Sequence, residues 1–277
     1  MIYTIGNGTN LMSSYDECTI EYAVEYCASK KILGVDTETT GLDFIKDDII
    51  MFQIGDEDTQ FVIDTRTVSI EPLREVLESK EIIKIFHNAK FDYKFIKKWS
   101  NITCEGIYDT FLTELVISCG KSLGYGLKDL CKRYLNVELN KDVRNQFIGL
   151  TGQPFREDQI NYGAKDVEYL CQIKELQQPI INKYKLQNVV DLENEVVKAF
   201  ADIEYNGLDL DIEQWKTLET VNTKRADGLA INLDQEVIEH VKLNKFVSKY
   251  IQGDMFTDIE DLRKVTVKWT SPKQVLE

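Results

Sequence analysis

Between residues 19 and 108 the spacing of apolar residues switches repeatedly between helical and strand periods, and this alternation restricts the chain to a sheet covered by helices. "TIEYAVEYCASK", residues 19–30, puts Ile20, Ala23, Val24 and Cys27 on one helical face, with Thr19 as a suitable N-cap. "ILGVD" reads as a buried strand, and "IIMFQIG" and "QFVIDT", split by the polar "DEDT", as a hairpin beside it. "PLREVLES" predicts a short helix, "EIIKIF" a strand and "AKFDYKFIKKW" a further helix. The fold class expected is α/β, a mixed sheet flanked by helices.

After residue 108 the pattern turns helical. "DTFLTELVIS", "GLKDLCKRYL", "REDQINYGAKDVEYLCQIKELQQPIINKY" and "LENEVVKAFADIEYN" carry apolar residues three and four apart. Residues 136–155 are polar and poorly periodic, so a long loop is expected there. "GLDLD" reads as a short strand or turn, and the tail from residue 212 as two or three charged helices around "FVSKYIQGDMF". A boundary near residue 187 divides the chain into an α/β domain, 1–187, and a mainly helical segment, 188–277.

Composition narrows the function. The 277 residues are 43% hydrophobic, enough for a sizeable core, and 4 Pro and 15 Gly argue against a fibrous or disordered chain. With 47 acidic and 33 basic residues the net charge is −14, so phosphate contacts by surface cations are in short supply. Six cysteines with no CxxC pair, and only His87 and His240, argue against a Cys/His zinc site and favour reduced, packed thiols. "MIYTIGNGTN" has neither the basic start nor the apolar stretch of a signal peptide. No apolar run approaches the ~20 residues that span a bilayer. A cytoplasmic protein without membrane contact is expected.

Three stretches carry acids that could do chemistry. In "VDTETTGLD" Asp36 and Glu38 are two apart, and alternate strand residues share a face, so both can aim at one point at a strand end. Alone, such acids are ordinary solvated groups at a strand terminus. In "FHNAKFDYKFI" Asp92 falls early in a helix, where the macrodipole favours it, and Asn88 suits an N-cap. In "YGAKDVEYL" Tyr162 and Asp166 are one helical turn apart on the same face. Taken together, four carboxylates arrive in order with a tyrosine one turn before the last. Oxygen ligands almost without His or Cys suit Mg²⁺ or Mn²⁺, and two such ions about 4 Å apart are a known device for displacement at a phosphodiester. The ions would neutralise the phosphate that the acidic surface cannot.

"DTETTGLD", "NAKFD" and "YGAKD" resemble the three motifs of the DEDD 3′–5′ exonucleases, and Tyr162 makes the chain similar to the DEDDy branch. That resemblance, over residues ~15–187, implies a ribonuclease H-like fold. "LENEVVKAFADIEYNGLDLDIEQW" and "WTSPKQVLE" are similar to the linker and the thumb start of family A DNA polymerases of the bacterial polymerase I type. The expectation is a proofreading exonuclease followed by a partial thumb, of bacteriophage type, with no polymerase activity. The resemblance implies that Asp36, Glu38 and Asp166 bind one divalent ion, and that Asp36, with Asp92 acting partly through water, holds a second. It implies that Tyr162 and Glu38 orient the attacking water and that a nucleoside monophosphate leaves. Thr39 and Leu42 match positions that touch the terminal nucleotide, Leu42 packing on its base, and Asn88 matches a polar position near the site. Lys141 and Arg144 either contact phosphate or are solvated loop charges. The partner is then a single-stranded DNA 3′ end. A ribonuclease D-like exoribonuclease shares the motifs. A non-catalytic module with the same fold is disfavoured by the presence of all four acids and Tyr162. Residues 188–277 could instead dock a separate polymerase palm/fingers fragment or another replisome protein.

Overall fold

Ile49–Gly55 and Gln60–Asp64 are buried along their whole length, which places them at the centre of a sheet covered on both faces. The computed structural model describes residues 1–6, 11–12, 14–121, 124–139, 143–248 and 263–276. In chain order the elements are β1 (Ile2–Ile5), β2 (Leu11–Met12), β3 (Asp16–Glu17), α1 (Ile20–Ala28), β4 (Ile32–Thr39), β5 (Ile49–Gly55), β6 (Gln60–Asp64), α2 (Arg74–Glu78), β7 (Ile83–Phe86), α3 (Ala89–Ser100), β8 (Ile107–Asp109), α4 (Thr110–Ser118), α5 (Leu127–Leu130), β9 (Phe155–Arg156), α6 (Glu157–Tyr184) and α7 (Gln187–Asn206). They are followed by α8 (Ile212–Glu239), β10 (Val247–Ser248), β11 (Lys264–Val265) and α9 (Pro272–Leu276).

Seven strands form one sheet in the order β3-β1-β6-β5-β4-β7-β8. β5 runs antiparallel to β4 and β6, and the other neighbours are parallel, so the sheet is mixed, as the alternating pattern predicts. Side chains alternate between two apolar layers: Phe61 and Ile63 join the layer with Phe86 and Phe95, while Val62 joins Phe147, Phe155 and Ile160. Strands β1 and β8 are absent from the sequence reading, being four and three residues long and too short to show a period. Among its described residues the predicted loop over 136–155 holds a short 3-10 turn, Arg144–Gln146, and ends in β9, which pairs with β2.

The chain divides into two compact units, residues 1–207 and 208–277. In the first, α7 is tied to α3 by ion pairs from Lys90 and Lys94 to Glu204 and from Lys97 to Asp202. In the second, the Trp269 indole N–H donates to Asp234 of α8 at 2.8 Å. "GLDLD" forms no strand. Gly207, at φ +68°, ends α7, and Asp211 caps α8 by accepting from the Gln214 N–H at 3.0 Å. None of the described helices is long and apolar enough to cross a membrane.

Candidate active site

Two glycines let α6 approach the sheet closely enough to complete a carboxylate cluster. A Cβ at Gly34 of β4 would lie 2.6 Å from the Val167 carbonyl oxygen of α6. A Cβ at Gly163 of α6 would lie 2.5 Å from the Gln53 amide of β5. A glycine inside a strand or a helix weakens it unless a close approach requires one, and both positions meet that condition. With the helix seated there, Asp166 comes beside Asp36 and Glu38, which share a face of β4. One oxygen of each lies within 4.8 Å of the others. Glu38 and Asp166 are buried and Asp36 is half-buried. The register of β4 against β5 shifts between Glu38 and Thr39, a β-bulge of the kind that re-aims side chains beside active sites.

Asp92 reaches the same strand end from the other side. Thr37, between the two acids, points to the opposite face, and its hydroxyl donates to Asp92 Oδ1 at 2.6 Å. Asp92 lies outside the three-oxygen group but within electrostatic reach of it. Burial first, and the Asp36 charge second, push its carboxyl well above the ordinary range. The macrodipole reading of Asp92 therefore omitted its strongest influences.

Asn88 does not cap α3. Its backbone is left-handed, at φ 69°, and its side chain makes no capping hydrogen bond. Asp109 does that work from β8: its carboxylate accepts from the N–H groups of Asn88 at 3.0 Å and Ala89 at 2.8 Å. The same carboxylate accepts from Phe111 N–H at 2.9 Å and Leu112 N–H at 3.4 Å, so one buried side chain caps both α3 and α4.

The other expected residues are spread around this centre. Tyr162 is half-buried one turn before Asp166, its ring 6.3 Å from that of Phe147. The Thr39 hydroxyl donates to the Gly41 carbonyl at 2.6 Å, and Leu42 in the following loop is 72% exposed. Asn88 is exposed. Lys141 lies outside the described residues. Arg144 is in a 3-10 turn, and its side chain lies outside the described set. Thr37, Asp109, Gly34 and Gly163 are the residues that sequence reasoning missed. The two glycines had a signal, each interrupting an otherwise regular element, whereas Thr37 and Asp109 had none.

The donor set fits a hard divalent cation, because every ligand in the cluster is a carboxylate oxygen. The Asp36 charge, which adds to burial in pushing the nearby Asp92 carboxyl upward, is one that such a cation would offset.

Several known proteins are similar to this chain. DNA polymerase I of Aquifex aeolicus is 24% identical over 253 residues, or 83% of this chain and 42% of that one. Ribonuclease D of Sphingobium indicum is 27% identical over 161 residues, 57% of this chain and 40% of that one, so the chain spans under half the length of either. Among solved structures, NrnC of Brucella melitensis superposes with a TM-score of 0.60 at 20% identity, covering 76% of this chain and 98% of that one. The fold is thus ribonuclease H-like. The family described as 3′–5′ exonuclease matches residues 12–181, a span that contains all four acids and Tyr162. That is more than half of the sequence, and the chain belongs to the 3′–5′ exonuclease family.

Proposed function

We propose that the protein removes nucleoside monophosphates from the 3′ ends of single-stranded or frayed DNA, by hydrolysis dependent on two divalent cations, Mg²⁺ or Mn²⁺, as the proofreading part of a family A DNA polymerase. The observation that carries the reading is the convergence of Asp36, Glu38 and Asp166 within 4.8 Å, with Asp92 held across the strand by Thr37. Asp36, Glu38 and Asp166 would hold one cation, and Asp36 with Asp92 the second. When bound, the cations neutralise the phosphodiester and make water a competent nucleophile. Tyr162 and Glu38 orient that water. Leu42, exposed in the loop after β4, packs on the terminal base, with Thr39 and Asn88 as further contacts to the nucleotide and Lys141 and Arg144 as phosphate contacts. A solved structure of Brucella melitensis NrnC holds Mg²⁺, which supports the choice of metal.

Selectivity would come from fraying. Each paired step resists melting by about 1.4 kcal/mol, and a mismatched end has less to lose, so it reaches the site more often.

The choice of DNA rests on the alignment with DNA polymerase I, which covers 83% of the chain, beyond the 57% matched by ribonuclease D. Exposed Trp215, Leu218, Leu229 and Leu233 on α8 are suited to docking a polymerase palm/fingers fragment. The second reading is a ribonuclease D-like exoribonuclease, favoured by the several ribonuclease D proteins among the relatives. Digestion of matched 3′-labelled DNA and RNA single strands with Mn²⁺ separates the two. Faster release from DNA is expected, and faster release from RNA would replace the DNA assignment by the second reading.

A further inference from the structure

Beside the acids, the same rim of the sheet carries three rings with no role in the chemistry above. β4, β7 and β8 are adjacent and parallel, so their C-terminal ends follow one another at about 4.8 Å per strand. Asp36 and Glu38 leave the first, His87 follows the second, and Phe111 stands in the first turn of α4 after the third. The His87 and Phe111 rings are 5.8 Å apart at 85°, and Phe111 and Tyr125 are 6.2 Å apart at 82°. All three are half-buried, yet neither Phe111 nor Tyr125 joins any apolar core cluster of the described residues.

The polar ends of the two outer rings are anchored. The Thr110 hydroxyl donates its one proton to the Phe86 carbonyl at 3.0 Å, so at 3.0 Å from His87 Nδ1 it accepts, which puts the imidazole proton on Nδ1. The Tyr125 hydroxyl donates to the Lys121 carbonyl and accepts from the Ser118 hydroxyl at 3.2 Å. Oriented rings on the sheet rim that also carries the acids can offer faces to unstacked bases.

We propose that His87, Phe111 and Tyr125 form a base-stacking track for the nucleotides upstream of the one being removed, an inference that rests on the exonuclease reading. In a chain of net charge −14, stacking holds a strand without calling on surface cations, and it tolerates any sequence because every base has a π-face. The track makes affinity depend on strand length while adding little to its salt dependence.

Binding of a fluorescent DNA decamer and of a dinucleotide, read without turnover in the absence of divalent metal, tests this. Phe111→Ala and Tyr125→Ala should each weaken decamer binding on the order of tenfold, leaving dinucleotide binding and the salt slope of decamer binding unchanged. Phe111→Leu keeps apolar volume and removes the ring, so it should show the same length-selective loss. Wild-type decamer affinity in Phe111→Leu, or equal loss on both substrates, would overturn the track. Failure of the exonuclease reading would look different: no digestion by the wild type, with the ring-dependent binding of the decamer intact.

Discussion

Gly34→Ala drives a methyl group into the backbone of α6. The new Cβ would sit 2.6 Å from the Val167 carbonyl oxygen and 3.1 Å from Val167 Cγ1, where ordinary contact begins at 3.4 Å. The obstacle is backbone rather than the end of a flexible side chain, so the helix must retreat by roughly 0.8 Å to restore ordinary contact. Asp166 precedes Val167 and moves with it, away from the two carboxylates it must match. A displacement near 1 Å at a catalytic group is worth about 10²-fold in rate. Overpacking of this kind destabilises by roughly 1–3 kcal/mol, less than a typical domain's stability, so the protein should still fold. The assay is kcat/KM on single-stranded DNA across a Mn²⁺ titration, beside urea unfolding. The expected result is a loss of about 10²-fold with weaker metal saturation in a folded protein. Wild-type kcat/KM and metal dependence would refute the claim that Gly34 sets the position of Asp166. Gly228→Ala in α8 is the matched control: its Cβ meets nothing within 4 Å, so it should stabilise that helix by up to about 1 kcal/mol and leave digestion unchanged.

Other perturbations test the surroundings. Asp109→Ala removes the cap of two helices and should lower stability by about 2–4 kcal/mol in urea unfolding, an effect absent if the four N–H contacts are incidental. Lys84, fully buried, donates to the carbonyls of Val76, Ser79 and Ile82; Lys84→Met leaves these without their donor and should destabilise by about 1–3 kcal/mol. Burial pushes the Lys84 ammonium down to about 8 from 10.5, so between those values the unfolded chain binds more protons. Its contribution to stability therefore rises with pH across that window and is lost as pH falls to about 8. Unfolding measured from pH 7.5 to 10.5 should show the rise in the wild type and not in Lys84→Met. Asp92→Asn keeps an oxygen to accept from Thr37 and removes a carboxyl that burial and the Asp36 charge hold away from its ordinary ionised form at a cost in stability, so the metal-free protein should melt higher while its nuclease activity falls. A lower melting point in that variant would show that the charge is already compensated.

Local periodicity was enough to read the central strands and most helices, because β4 to β7 and α1 to α6 obey the spacing of their own class. It was not enough for β1 and β8, whose few residues take their pairing from neighbours distant in sequence. The shared direction of Asp36 and Glu38 followed from the strand period alone. Their meeting with Asp166 depended on two glycines whose role appears only when α6 lies across β4 and β5. Asn88 shows the limit of residue-type rules: it has the chemistry of an N-cap, but Asp109, 21 residues further on, holds those N–H groups. The ring row was invisible for the same reason, since "DTFLTELVIS" shows its apolar spacing but not that Phe111 is left outside the core.

The most direct measurement follows 5′-labelled single-stranded DNA over time with Mg²⁺ or Mn²⁺, for the wild type and Asp36→Ala in parallel. The expected result is a ladder shortening from the 3′ end with release of nucleoside monophosphates, stopped by chelation and absent in a cooperatively folded Asp36→Ala protein. Undiminished shortening by Asp36→Ala, or shortening by the wild type that persists under chelation, would contradict a metal-dependent exonuclease built on this carboxylate cluster.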